Sequence, residues 1–236
     1  MSVSRETGSR AGRAPAPDPR YELLLKALAE EPDPPTTVSD PELARDVHVA
    51  DSLSGLEVED LARAQRIADV GAGAGFPGLA LAIALPGSKV DLIESSGRKA
   101  AVIDRLIQAA KVDNARSVKA RVEEWAAVIP ALGGGREAYD AVTARAVAAL
   151  PVLVEYAAPL LRPDGVLVAW KGAVDEAERQ QGKGAAAEVG MSLEEVRRVE
   201  PFAGARNRHL CVLRKVAPTP EGYPRRPGMA AKRPLG

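Results

Sequence analysis

From Arg66 onward, short apolar runs alternate with segments whose apolar residues recur at helical spacing. The runs are Ile67–Val70, Val90–Glu94, Ala115–Lys119, Ala141–Thr143, Val166–Trp170, Val196–Val199 and Leu210–Leu213. Helices are predicted between them over Pro77–Leu85, Arg98–Lys111, Glu123–Val128, Leu150–Leu161 and Val174–Glu188. Strands that alternate with helices in this way predict an α/β fold, a mostly parallel sheet covered on both faces. The last two runs are separated only by Phe202 to Arg208, too little for a crossover helix, so they are expected to pair antiparallel. Pro77 suits the start of a helix, where its missing N–H costs little. Asp113 and Asn114 supply the turn after the Arg98–Lys111 helix. Ahead of this pattern, residues 1–20 are expected to be a disordered leader. Residues 21–65 are expected to form a helical cap, with a short helix over Tyr21–Glu30, an acidic Pro-rich joint, and a helical region from Pro41 to about Gln65. The main domain is placed at 66–216, and an irregular tail at 217–236.

With 46% hydrophobic residues among 236, the chain can bury a sizeable core, which excludes a wholly disordered protein. Its charges balance at 32 of each sign. They are unevenly placed, however, because Arg197–Gly236 holds ten Lys or Arg and only Glu200 and Glu221 as acids. That asymmetry predicts an anionic partner for the C-terminal end. Cys211 is the only cysteine, and His48 and His209 are the only histidines, so neither a disulfide nor a metal centre is expected. The longest uncharged apolar stretch, Leu79–Leu85, is too short to span a bilayer. The expectation is a soluble cytoplasmic monomer that uses no membrane.

The strongest local signal is Asp69-Val70-Gly71-Ala72-Gly73-Ala74-Gly75-Phe76-Pro77-Gly78, a strand that turns tightly into a helix. Glycines are needed where φ is positive or where a ligand lies against bare backbone. Two registers compete. Gly73, Gly75 and Gly78 fit a dinucleotide fingerprint, which would make the protein a nicotinamide-dependent oxidoreductase. Asp69, Gly71, Gly73 and Gly75 fit an S-adenosylmethionine loop in which Asp69 meets the ligand's ammonium. The second register is favoured, because the first puts Pro77 between its glycines. Glu94, 19 residues after Gly75, can accept hydrogen bonds from ribose hydroxyls. The turn Arg121-Val122-Glu123-Glu124 falls where an adenine would lie, although acids at a helix start are also ordinary.

The fourth run continues into Thr143-Ala144-Arg145-Ala146 and lacks the polar–Pro–Pro–aromatic tetrapeptide that gathers an amine proton. Cys211, in mid-strand, is ill placed as the nucleophile that cytosine C5 methylation needs. A bare lone pair, such as purine N7, remains the easiest target, and catalysis is then chiefly alignment. Arg145 and Lys171 fall at C-terminal strand ends, the ligand-binding edge of such sheets, although both could equally be surface charge. Trp125 and Trp170 read as core or rim, and His209 as a packing residue.

Several segments recur together. They are the Asp69–Gly78 loop, Arg121–Glu124, Thr143–Ala146, Trp170-Lys171-Gly172, Arg208-His209-Leu210, His48–Leu53, and the tail Pro218–Gly228 with Lys232–Leu235. Over residues 45 to 235 the chain closely resembles the bacterial 16S ribosomal RNA guanine-N7 methyltransferases, the glucose-inhibited division protein B family. The resemblance implies a class I (Rossmann-like) methyltransferase, with a seven-stranded mostly parallel sheet, helices on both faces and a small N-terminal helical cap. It implies S-adenosylmethionine as cofactor, held by Gly71, Phe76, Val122, Glu123 and Arg145, beside Asp69, Gly73, Gly75 and Glu94 from the loop reading. Arg145 and Lys171 become the candidate catalytic residues. The implied partner is 16S ribosomal RNA or the small-subunit particle, with Lys171, Arg208, Arg225, Arg226, Lys232 and Arg233 as candidate RNA contacts. Arg225, Arg226, Lys232 and Arg233 sit among Pro and Gly, as expected of a flexible strip that follows phosphates. A non-catalytic ribosome-assembly factor is the other RNA-binding alternative. The front departs from the family pattern, since Glu30–Pro41 replaces the usual Asn-Leu-Thr segment and keeps only Thr36-Thr37-Val38.

Overall fold

The computed structural model describes residues 18–38 and 40–236. The expected disordered leader therefore lies outside the described residues, except for its end. There Asp18 caps helix α1 (Pro19–Ala29) by accepting from Arg20 N, so the helix begins before Tyr21. Seven strands form one sheet: β1 (Arg66–Val70), β2 (Lys89–Glu94), β3 (Ala115–Lys119), β4 (Tyr139–Arg145), β5 (Leu161–Lys171), β6 (Met191–Val199) and β7 (Arg208–Lys215). Their order is β3-β2-β1-β4-β5-β7-β6. All pairings are parallel except those of β7, which runs antiparallel to β5 and β6, as the missing helix between the last two runs predicts. The chain reverses its direction of travel across the sheet between β1 and β4, and the crevice beyond those two strand ends is the natural ligand site.

On one face, α1, α5 (Gly78–Ala84) and α6 (Gly97–Ala110) bury Leu24, Leu28, Leu79, Leu81, Ile103 and Leu106 against the sheet. On the other, α7 (Val122–Ala127), α8 (Leu150–Ala157) and α9 (Glu176–Glu188) bury Leu150, Leu153, Val154 and Ala185. The expected cap is thus part of the main core, because Tyr21, Leu24 and Leu28 share a cluster with Leu79 and Ile83. The turn after α6 holds Asp113 and Asn114, as expected. Lys111 takes the left-handed conformation (φ 53°), and the Asn114 amide ties down the carbonyls of Ala82, Leu85 and Ser88.

The region Pro41–Gln65 is broken rather than one helix. It comprises α2 (Pro41–Ala44), a π-turn at Arg45–Ala50, α3 (Asp51–Leu53), a 3-10 turn at Ser54–Glu57, and α4 (Glu59–Ala62). Side chains take over carbonyl groups along this irregular stretch. Ser52 Oγ donates to His48 O, while Ser54 Oγ and Trp170 Nε1 both donate to Asp51 O. The Trp170 ring lies over Gly55, where a Cβ would sit 2.3 Å from Cζ2, so only glycine lets the cap seat on β5.

The tail is not a free strip. Arg225 pairs with Glu155, whose side chain is 2% exposed, and also donates to Arg233 O. Gly228 N donates to Glu123 Oε1 at 2.8 Å, and Leu235 is buried. A short helix α10 (Met229–Lys232) lies between these anchors.

Candidate active site

A cleft of about 700 Å³ opens beyond the C-terminal ends of β1, β4 and β5. Its walls include Gly71, Gly73 and Phe76 from the loop after β1, Arg145 from β4, Lys171 from β5 and Arg208 from β7. The cap supplies Pro34–Val38, His48 and Asp51. A smaller cavity of about 150 Å³ lies on the other side of Gly71, lined by Ile93, Ser95, Arg121, Val122, Glu123 and Tyr156. Gly71 lines both, so the two cavities adjoin at the end of β1.

The loop is built on positive φ, 66° at Gly71, 57° at Gly73 and 89° at Gly75. A Cβ on Gly75 would strike Leu79 at 2.5 Å, so this glycine packs behind the loop. A Cβ on Gly73 would meet nothing nearer than Gly71 O at 3.7 Å. That face of Gly73 is bare backbone turned towards the cleft, which is what a closely held ligand requires.

Two carboxylates hold the loop: Glu94 ends β2, as the sequence reading expected, whereas Asp69 does not face the cleft. Asp69 is fully buried and lines neither cavity, so it is not a free partner for an ammonium. Its Oδ2 accepts from Gly78 N and its Oδ1 from Thr143 Oγ1, which locks β1, α5 and β4 together. Burial pushes its carboxyl up to about 6, against the pull of Thr143 and Gly78. Glu94 Oε2 accepts from Gly73 N at 3.0 Å, and its Oε1 from Ser96 N at 2.8 Å. It braces the loop from the end of β2 while keeping lone pairs for further donors. The Asp69–Gly78 bond also removes the dinucleotide register, because a fixed carboxylate occupies the helix N-terminus where a pyrophosphate would bind.

Opposite the loop, Arg145 is the hinge between sheet and cap. Its Nη1 donates to Val47 O at 2.8 Å and Asp51 Oδ2 at 2.9 Å, and the guanidinium lies 6.0 Å from the Phe76 ring centroid. Phe76 stacks on His48, with centroids 4.8 Å apart. Burial, then the Arg145 charge, push His48 down to about 4, so the imidazole is neutral near pH 7. Lys171 Nζ is 2.7 Å from Glu178 Oε1 and 3.1 Å from Ala148 O, which anchors it at the cleft rim. Arg208 Nε stands 3.5 Å from Asp51 Oδ1 without a hydrogen bond between them.

The two adjoining cavities are lined by Gly71, Gly73, Phe76, Arg145, Lys171 and Arg208 on one side and by Val122 and Glu123 on the other. Arg226, Lys232 and Arg233 are exposed on the tail, away from the cleft walls, and Arg225 is held in its ion pair. His48, Asp51 and Trp170 also line the cleft, although residue-by-residue reasoning placed none of them at a ligand site. Their signal was the recurrence of His48–Leu53 and Trp170-Lys171-Gly172 alone. Cys211 is buried and its thiol is pushed up to about 11 by burial, so it is no nucleophile. Among the described residues, no helix is long and apolar enough to cross a membrane. No group of three or more His, Cys, Asp or Glu among them could hold a metal ion.

Known proteins agree with this geometry. The family model for rRNA small subunit methyltransferase G matches residues 36–211. A ribosomal RNA small subunit methyltransferase G from Rubrobacter xylanophilus is 45% identical over 83% of this chain and 75% of its own length. The Bacillus subtilis protein of the same name is 32% identical over 100% of this chain and 99% of its own. Among solved structures, a predicted O-methyltransferase from Agrobacterium tumefaciens is 25% identical, with TM-score 0.55, covering 71% of this chain and 81% of that one. A 16S rRNA adenine methyltransferase from Catenulisporales acidiphilia, 15% identical with TM-score 0.53 over 69% of this chain and 90% of that one, shares the fold. With the glycine loop, the capped cleft and the match across most of its length in agreement, the chain belongs to the rRNA small subunit methyltransferase G family.

Proposed function

We propose that this protein transfers a methyl group from S-adenosylmethionine to N7 of a guanine in the 16S RNA of the small ribosomal subunit. The observation that carries the reading is the loop after β1, where the bare face of Gly73 opens on the cleft and Glu94 braces the backbone from below. Those residues fit the donor. Gly71 and Gly73 would lie against it, Glu94 would take ribose hydroxyls with its spare lone pairs, and Val122 with Glu123 would flank the adenine. When bound, the donor supplies an electrophilic methyl on a sulfonium.

The chain's own contribution is alignment and the exclusion of water. Guanine N7 carries no proton, so no general base is required. Arg145 cannot serve as one, because a guanidinium keeps its proton. Phe76 and Trp170, 5% and 4% exposed, form dry walls that limit rotation of the reacting groups. Alignment of a nucleophile with an in-line leaving group can supply about 7–11 kcal/mol of the barrier. Arg145, Arg208 and Lys171 keep the rim positive, which favours the RNA backbone. The exposed Arg226, Lys232 and Arg233 can add phosphate contacts along the tail.

The test is mass spectrometry of nucleosides after incubating the protein with 30S particles and labelled donor. Labelled 7-methylguanosine is expected. Its absence, with active particles and bound donor, overturns the proposal.

A further inference from the structure

Three polar atoms in the cleft wall are buried without a hydrogen-bond partner: His48 Nδ1, Asp51 Oδ1 and Arg208 Nε. A buried polar group without a hydrogen bond is costly to a folded protein, so several together in a cleft wall mark a place where a bound molecule can complete them. Asp51 is 4% exposed. Its other oxygen is fixed by Arg145 at 2.9 Å, which leaves Oδ1 without a hydrogen-bond donor in a residue that lines the cleft. Arg208 Nε lies 3.5 Å from it and shares the same wall. An acceptor and a donor, paired by charge but not by a hydrogen bond, thus stand side by side.

We infer that Asp51 and Arg208 form a base-reading pair, which takes the six-membered-ring edge of the target guanine and excludes adenine. The inference rests on the methyltransferase reading of this cleft. Guanine offers O6, an acceptor, beside N1–H, a donor. Arg208 Nε–H donates to O6, and Asp51 Oδ1 accepts from N1–H. Adenine reverses the order, with an amino donor at C6 and a bare acceptor at N1, so each contact would set donor against donor or acceptor against acceptor. A site built to hydrogen-bond one pattern rejects the other strongly, because its own buried groups are then left unpaired. Unstacked RNA bases are commonly read at this edge. The cap brings Asp51, and β7 brings Arg208, so the reader exists only when the cap is seated on the sheet.

The experiment is a cycle on small-subunit particles whose RNA carries either guanine or 2-aminopurine at the target position. 2-Aminopurine keeps N7 but lacks both O6 and the N1 proton. For the wild-type protein, the base change is expected to lower kcat/KM on the order of 100-fold, and Asp51→Asn on guanine particles to do the same. Combined, the two changes should be little worse than the base change alone, since the contact that Asp51→Asn removes is one the base change has already removed. A merely structural Asp51 would give losses that multiply, and that result overturns the inference. If Asp51→Asn does not fold by circular dichroism, Arg208→Lys decides, because it keeps the charge but removes Nε; multiplied losses there overturn it equally. A wild-type protein inactive on guanine particles would instead defeat the functional reading itself.

Discussion

The two walls of the cleft are made differently. The wall after β1 is main chain, with Gly71, Gly73 and Gly75 in left-handed conformations, the Gly73 amide held from behind by Glu94 and the Gly78 amide by Asp69. The opposite wall is side chain, with Asp51, His48, Arg145, Trp170 and Arg208 drawn from four separate stretches of sequence. A main-chain wall is indifferent to the identity of most neighbours and suits a ligand used by many enzymes. A side-chain wall can carry a specific pattern of donors and acceptors. The donor therefore belongs on the first, and the discriminating substrate on the second.

The largest effect should come from filling the main-chain wall. Gly73→Val puts a branched side chain on the bare face and should lower donor affinity by about 100-fold or more in calorimetry. The strain of a positive φ adds only about 1–2 kcal/mol, so the fold should persist. Unchanged donor binding would show that this wall is not the donor's. Next is Arg145→Ala on the other wall. It leaves the Asp51 carboxylate buried beside a vacated partner, a loss of about 3–5 kcal/mol for a pair of this kind. Urea unfolding should show that loss together with a collapse of methyl transfer, because the cap loses its tie to β4. Full stability would mean that the cap is seated by other contacts.

Gly55→Ala probes the same seating without touching charge. Its Cβ would meet Trp170 Cζ2 at 2.3 Å, and overpacking of this sort costs about 1–3 kcal/mol. A fall in the unfolding midpoint, with donor affinity nearly intact, would show the two walls to be independent.

The smallest effect is in the pH dependence, where the walls oppose each other. His48 is depressed to about 4 from 6.5, so the folded protein binds its proton less readily than the unfolded chain. Its contribution to stability is present above pH 6.5 and is lost as the pH falls towards 4. Asp69 is raised to about 6 from 3.8, so its contribution is present below pH 3.8 and is lost as the pH rises through 6. The two contributions have opposite signs and partly cancel as the pH falls from 6.5 to 4. His48→Phe should therefore make stability fall less on acidification across that range, read as urea midpoints. An unaltered slope would place the imidazole in solvent.

Much of the fold was legible because its signals are local. Most strands contain a short apolar run, the glycine loop declares its own conformation, and the missing helix before β7 predicted its antiparallel pairing with β6, although β6 itself reaches back to Met191 through Glu194 and Glu195. The failures have physical causes. The Pro41–Gln65 stretch has helical composition throughout, but Trp170 and the Ser52 and Ser54 hydroxyls take over carbonyls that a regular helix would use, so it breaks into short turns. The tail looks like a flexible basic strip because Pro and Gly dominate it. What pins it is Glu155, 70 residues away on α8, which claims Arg225.

The amino-acid order by itself determined the layered sheet, the bare-backbone turn after β1, and the family, since each depends on residues close together in sequence or on motifs that recur intact. Tertiary structure alone decided the duties of the polar residues. Whether Asp69 faces a ligand or locks a loop, whether Arg225 meets RNA or Glu155, and whether Asp51 stands beside Arg208 depend on distances between segments tens of residues apart. A charged residue has the same chemistry in either setting, and only the packed chain determines what lies within reach of it.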